Sequence, residues 1–121
     1  MQDTPQYETI KQRFQSYDKD ALIGLGTNQP ITGDDVEILE SIFTDVPIYF
    51  ADNALRTKLG QQAKNTIESQ ISAMCDQFDQ INQQRQTNSL GPNLVNISNN
   101  LSAYMEEVRL RFLNPRRLYT L

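Results

Sequence analysis

Apolar residues recur along this chain at steps of three and four with polar residues between them, a spacing that predicts helices almost throughout. Tyr7, Ile10, Phe14 and Tyr17 form the first stripe. Thr4 is a suitable cap and Pro5 a suitable first-turn residue, and the helix they open is expected to run to about Leu22 to Gly24. The stretch "GLGTNQPITG" then reads as a loop, because its glycines, Asn28 and Pro30 favour turn geometry. Thr32 and Asp35 resemble a capping box, and Val36, Leu39, Ile42 and Phe43 mark one face of a short helix expected to end before Pro47. "VPIYF" follows, the most apolar run in the chain. No similar run elsewhere offers it a strand partner, and an isolated strand is marginal, so it reads as a buried turn between helices.

From Asp52 onward the periodicity strengthens. Leu55, Leu59, Ala63, Ile67, Ile71, Met74, Phe78 and Ile81 share one stripe, with glutamine, asparagine, lysine and glutamate assigned to the opposite face. "RQTNSLGPN" interrupts the pattern, with Pro92 at a plausible first helical position. Leu94, Ile97, Leu101, Tyr104, Met105, Val108 and Phe112 then mark a last helix that should stop at Asn114, before Pro115. The two long stripes on either side of a short loop predict an antiparallel helical hairpin, in which Ile67, Met74 and Phe78 face Leu101, Tyr104 or Met105, and Val108. A continuous helix from residue 53 to 86 would be about 50 Å long, against about 35 Å across a compact domain of this size. It must therefore protrude or bend, and Gly60 is the natural breaking point. The expected fold is all-α: a small helical bundle in residues 1–114, with a long antiparallel hairpin, and an extended C-terminal arm in residues 115–121.

A chain of 121 residues supports one modest core. Eleven basic residues against 15 acidic ones give a net charge of −4, which disfavours nucleic acid as a partner and leaves any basic contact local. With no histidine and one cysteine, the chain is poor in zinc ligands and has no internal disulfide, and no metal or other cofactor is expected. No apolar run approaches a membrane span and the first residues do not spell a signal peptide, so the expectation is a cytoplasmic protein, or one built into a virion or other large assembly.

Motifs for chemistry fail one by one. Asp18-Lys19-Asp20 begins like a calcium loop, but Leu22 occupies the next ligand position and no glutamate closes it. Gly24-Leu25-Gly26 lacks the third glycine of a dinucleotide fingerprint, and Asn96-Ile97-Ser98 matches a glycosylation sequon by spelling alone. Ser16, Ser41 and Ser69 have no histidine to activate them, and Cys75, beside Met74 in a helical pattern, reads as a packed thiol. Asp34, Asp35, Glu37 and Glu40 are the one cluster suited to acid–base or magnesium chemistry, yet carboxylates at a helix start already suit the positive end of its dipole. An enzyme is not expected.

Charge is segregated. Between Gln29 and Leu55 the residues Asp34, Asp35, Glu37, Glu40, Asp45 and Asp52 have no basic neighbour, whereas only arginines follow Glu107: Arg109, Arg111, Arg116 and Arg117. That complementarity suits an internal clasp or a contact between copies. Candidate partner-binding residues are Arg116, Arg117, Leu118, Tyr119 and Leu121 on one side and Asp34, Asp35, Glu37 and Glu40 on the other. The functional expectation is a structural or adaptor subunit of a larger protein assembly, homo-oligomeric once assembled, such as a viral head, neck or tail connector component or a secretion-machine component. The alternative is a small regulatory or chaperone-like protein-binding module.

Overall fold

The computed structural model describes residues 5–20, 22, 33–87 and 94–114. Among them all regular structure is helical: α1 (Pro5–Gln15), α2 (Gly33–Ala51), α3 (Asn53–Leu59), α4 (Gln61–Thr87), α5 (Leu94–Val108) and a π-helical turn (Arg109–Leu113) that extends α5. The loop at 23–32, the connection at 88–93 and the arm at 115–121 lie outside the described residues.

Helix α4 is the spine. Its residues Lys64, Ile67, Glu68, Ile71, Met74, Cys75, Phe78 and Ile81 are all buried, a stripe wide enough to take α1 on one flank and α5 on the other. Phe43 stacks on Phe78 with ring centroids 5.4 Å apart and the Tyr49 hydroxyl donates to Glu68 at 2.7 Å, so α2 runs opposite to α4. Asp45 meets Arg109 and Tyr49 meets Phe112, which sets α2 alongside α5 and its π-helical extension. The Tyr17 hydroxyl donates to Asp79 while Tyr7 packs near Tyr49, so α1 runs in the same direction as α4. Phe78 takes its ring contacts from Phe14 of α1, from Tyr17 just beyond that helix and from Phe43 of α2.

Three expectations are corrected, two about helix boundaries and one about which helix face is solvated. The second helix does not end before Pro47, and "VPIYF" is not a turn: α2 continues through the proline to Ala51. Pro47 is exposed, so its missing donor faces solvent, while Val46, Tyr49 and Phe50 extend the buried stripe of Leu39 and Ile42. Burying each of those side chains is worth about 1.5–3 kcal/mol, which together outweighs the about 3 kcal/mol an internal proline costs. The first helix ends at Gln15, not near Leu22. Ser16 N–H is shared between the Gln12 and Arg13 carbonyls, Tyr17 N–H reaches back to Phe14, and the Ser16 hydroxyl donates to the Arg13 carbonyl at 2.6 Å, so the last turn tightens and closes on itself. Leu22 is nonetheless buried, its N–H donating to the Asp18 carbonyl in a separate turn. Finally, Lys64 and Glu68 do not belong to a solvated face.

Gly60 divides the long helix by adopting φ +82°, a left-handed value that other residues reach only at a cost. The break shortens the longest helix to the 27 residues of α4, about 40 Å, nearer to but still above the about 35 Å expected across a compact domain of this size. On the other side of the break, Asp52 caps α3 by accepting from Leu55 N–H at 3.1 Å.

Candidate protein-interaction site

Two grooves flank α2. The first lies between α2 and α1, a cavity of about 430 Å³ lined by Lys11, Phe14, Gln15, Tyr17, Phe43, Pro47, Phe50 and Ala51. Its floor is aromatic because the α1 and α2 stripes meet through rings: Phe14 to Phe43 at 5.1 Å and Phe14 to Phe50 at 5.7 Å between centroids. Lys11 stands at its edge with its ammonium 5.6 Å from the Tyr7 ring centroid.

The second groove lies between α2 and α5 and is polar. One part, of about 460 Å³, is lined by Glu37, Glu40, Ser41, Thr44, Asp45 and Arg109. A smaller hollow of about 260 Å³ shares Glu37, Ser41 and Arg109 and is floored by Ile38 and Met105. Of the acidic residues singled out in the sequence, Glu37 and Glu40 are exposed on this rim. Asp34 and Asp35 belong by backbone to the first turn of α2, but their side chains lie outside the described residues. Arg109 bonds Asp45 at 3.2 Å and Arg111 bonds Glu107 at 3.0 Å, so two of the late arginines are engaged within the chain. Arg116, Arg117, Leu118, Tyr119 and Leu121 lie outside the described residues.

A buried polar cluster at the α2–α3 corner escaped the sequence reading. Helix α2 ends without a basic residue in its last turn, leaving carbonyls that no further helical turn can serve. The Tyr49 carbonyl accepts instead from the Arg56 guanidinium of α3, and the Phe50 carbonyl from the Tyr7 hydroxyl of α1 at 2.8 Å. Arg56 is 3 % exposed, with its guanidinium carbon 4.5 Å from the Tyr7 ring centroid and 5.4 Å from that of Tyr49. Lys64 and Glu68, 1 % and 0 % exposed, continue the cluster one and two turns into α4. Their positions did carry a signal, since 64, 67, 68 and 71 share one phase of the helix.

At the other end of α1, Arg13 reaches both Asp76 at 2.7 Å and Asp79 at 2.6 Å, and the Tyr17 hydroxyl donates to Asp79 at 2.6 Å. Burial raises the Asp79 carboxyl, but the hydrogen bonds from Tyr17 and Arg13 outweigh it and leave Asp79 below the usual aspartate range. Burial, with help from Asp79, pushes the Tyr17 phenol upward. Burial likewise pushes the Cys75 thiol up to about 11, opposed by the nearby charge of Arg13. A thiol so placed is protonated and inert near neutral pH.

Among the described residues no three side chains of the His, Cys, Asp and Glu types gather as a metal cradle, and no helix is long and apolar enough to cross a membrane. A scan against protein-family models, a search of curated proteins and a search of solved structures each return no match. The two surfaces differ in chemistry: the groove on one side of α2 is aromatic and apolar, and the one on the other side is lined by Glu37, Glu40, Asp45 and Arg109.

Proposed function

We propose that this chain is a non-enzymatic structural or adaptor subunit of a larger protein assembly, of the kind that joins parts of a viral head, neck or tail or of a secretion machine. The observation that carries the reading is the aromatic-floored groove between α1 and α2, apolar surface arranged for a partner's side chains. Residues 1–114 serve as one helical body whose long element is the antiparallel hairpin of α4 and α5, and residues 115–121 serve as an arm. Pro115 turns the arm out of the helix; Arg116 and Arg117 seek carboxylates, with Glu37 and Glu40 of a neighbouring copy among the exposed candidates, and Leu118, Tyr119 and Leu121 bury apolar surface beside them. The arginines fix orientation and the apolar residues supply most of the binding energy.

Deleting residues 115–121 tests the reading. The expected result is a melting temperature within a degree or two of the full chain, together with loss of self-association or of partner capture, followed by sedimentation and thermal denaturation. A truncated chain that melts several degrees lower and still associates normally makes the tail part of its own core and overturns the arm.

A further inference from the structure

The exposed edge of α2 changes character from one end to the other. Glu37, Glu40, Thr44, Pro47 and Ala51 follow one another at steps of three and four and are all exposed, so they form a single ridge. Its N-terminal half is acidic, with Glu37 and Glu40 beside the polar groove towards α5. Its C-terminal half borders the aromatic groove, where Phe43 and Phe50 face Phe14 of α1. Helix α1 runs opposite to α2, with Phe14 near Phe43 and Tyr7 near Phe50, so Lys11 stands towards the end of the groove away from Glu37 and Glu40. In the direction of α2 the order is therefore acid, aromatic, base.

The sequence after Asn114 carries the complementary order: Arg116 and Arg117, then Leu118, Tyr119 and Leu121. The lengths agree as well. Glu37 to Phe50 covers about 20 Å along α2, and the residues from Arg116 to Leu121 cover at most about 20 Å when extended. Direction decides which copy supplies them. Phe112 lies against Tyr49, so the chain leaves the body at the C-terminal end of α2. A segment that ran from there along its own α2 would bring its arginines to the Lys11 end and its apolar residues to the acids, the reverse of what the ridge offers. A segment from a second copy is free to run the other way.

We propose that residues 116–121 of one copy lie along α2 of the next and parallel to it, with Arg116 and Arg117 on Glu37 and Glu40 and with Leu118, Tyr119 and Leu121 in the aromatic groove. The inference rests on the arm reading above; it adds the groove as receptor and the direction of the arm, and commits to a second copy of this chain as the partner. A contact between an arm and a body is heterologous, so copies join head to tail into a ring or a filament.

Sedimentation velocity on the full chain tests this with two variants. Pro47→Lys with Ala51→Lys puts charge into the groove at exposed positions, and Leu118→Ser with Tyr119→Ser removes apolar surface from the arm. Each variant alone is expected to self-associate at least about 10-fold more weakly while melting no more than a degree or two below the unsubstituted chain. Mixed in equal amounts, the two are expected to form a one-to-one pair and nothing larger, because the intact arm of the groove variant meets the intact groove of the arm variant. Glu37→Arg with Glu40→Arg should likewise weaken association, and adding Arg116→Glu and Arg117→Glu to the same chain should restore it. A groove variant that associates as tightly as the unsubstituted chain overturns the proposal and leaves the arm to another receptor. A mixture that stays monomeric overturns the exchange of arms between copies, and an unsubstituted chain still monomeric at about 1 mM removes the second copy as occupant. The arm reading itself falls by a different result, association that survives deletion of residues 115–121.

Discussion

Replacing Phe78 by alanine removes the side chain on which three elements converge. Phe78 is fully buried, stacks on Phe43 of α2 at 5.4 Å, meets Tyr17 edge-on at 5.3 Å and lies 6.3 Å from Phe14 of α1. Truncating a buried phenylalanine costs about 3–5 kcal/mol, combining lost transfer energy with the cavity left behind. The upper half of that range is expected here, since ring pairs add about 0.5–1.5 kcal/mol each and a stacked partner cannot collapse into the gap without leaving its own neighbours. For a domain of this size such a loss lowers the melting temperature by about 10–25 °C. Urea denaturation followed by far-ultraviolet circular dichroism measures it, with Leu110→Ala as the control, because Leu110 is 52 % exposed and should shift stability by less than about 0.5 kcal/mol. A Phe78→Ala loss below about 1 kcal/mol, or one no larger than the Leu110 control, refutes the idea that the two aromatic helices are tied through this ring.

Gly60→Ala is expected to destabilise the chain by about 1–2 kcal/mol in the same denaturation assay, although an added Cβ meets nothing within 4 Å, because the cost lies in the φ of +82° alone; an unchanged midpoint would show that the break tolerates an ordinary residue. Acid should weaken the fold through Asp79: its carboxyl sits below the ordinary 3.8, so its contribution is complete above that value and fades as the pH falls through the lower folded one. Asp79→Asn should therefore flatten the fall in stability below about pH 5, seen as a smaller change in urea midpoint between pH 5 and pH 3. Cys75 has the opposite sign, being raised from 9.0 to about 11, so its contribution is complete below pH 9 and is lost as the pH rises through about 11; Cys75→Ser titrated over that range should lack this loss.

The regular stripes of α4 and α5 were legible in the sequence because every fourth or third residue repeats one choice, and Gly60 was legible because nothing else in that stretch disfavours a helix. Pro47 misled for the same local reason. A proline stops a helix unless burial on its far side outweighs it, and the burial of Val46, Tyr49 and Phe50 is supplied by helices distant in sequence. Lys64 and Glu68 were assigned to solvent on residue type alone, and Arg56 was not singled out. Arg56 is held by the Tyr49 carbonyl at the unfinished end of α2 and Glu68 by the Tyr49 hydroxyl, pairings that have no sequence signature of their own. Of the candidate surface, Glu37 and Glu40 were legible as exposed acids, while the aromatic groove was not, since it exists only where the stripes of α1 and α2 face each other.

The way α2 ends has a bearing on the order of folding. Its last carbonyls are served by a hydroxyl 43 positions earlier in the chain and a guanidinium 7 positions later, so the final turn is completed by one near neighbour and one remote one. During synthesis Tyr7 emerges first and must wait for Phe50, whereas Arg56 follows Tyr49 closely and can bond its carbonyl as soon as α3 coils. The α2–α3 corner is therefore suited to form as a local nucleus, with α1 docking onto it last because loop closure has to bring its residues back across more than thirty others.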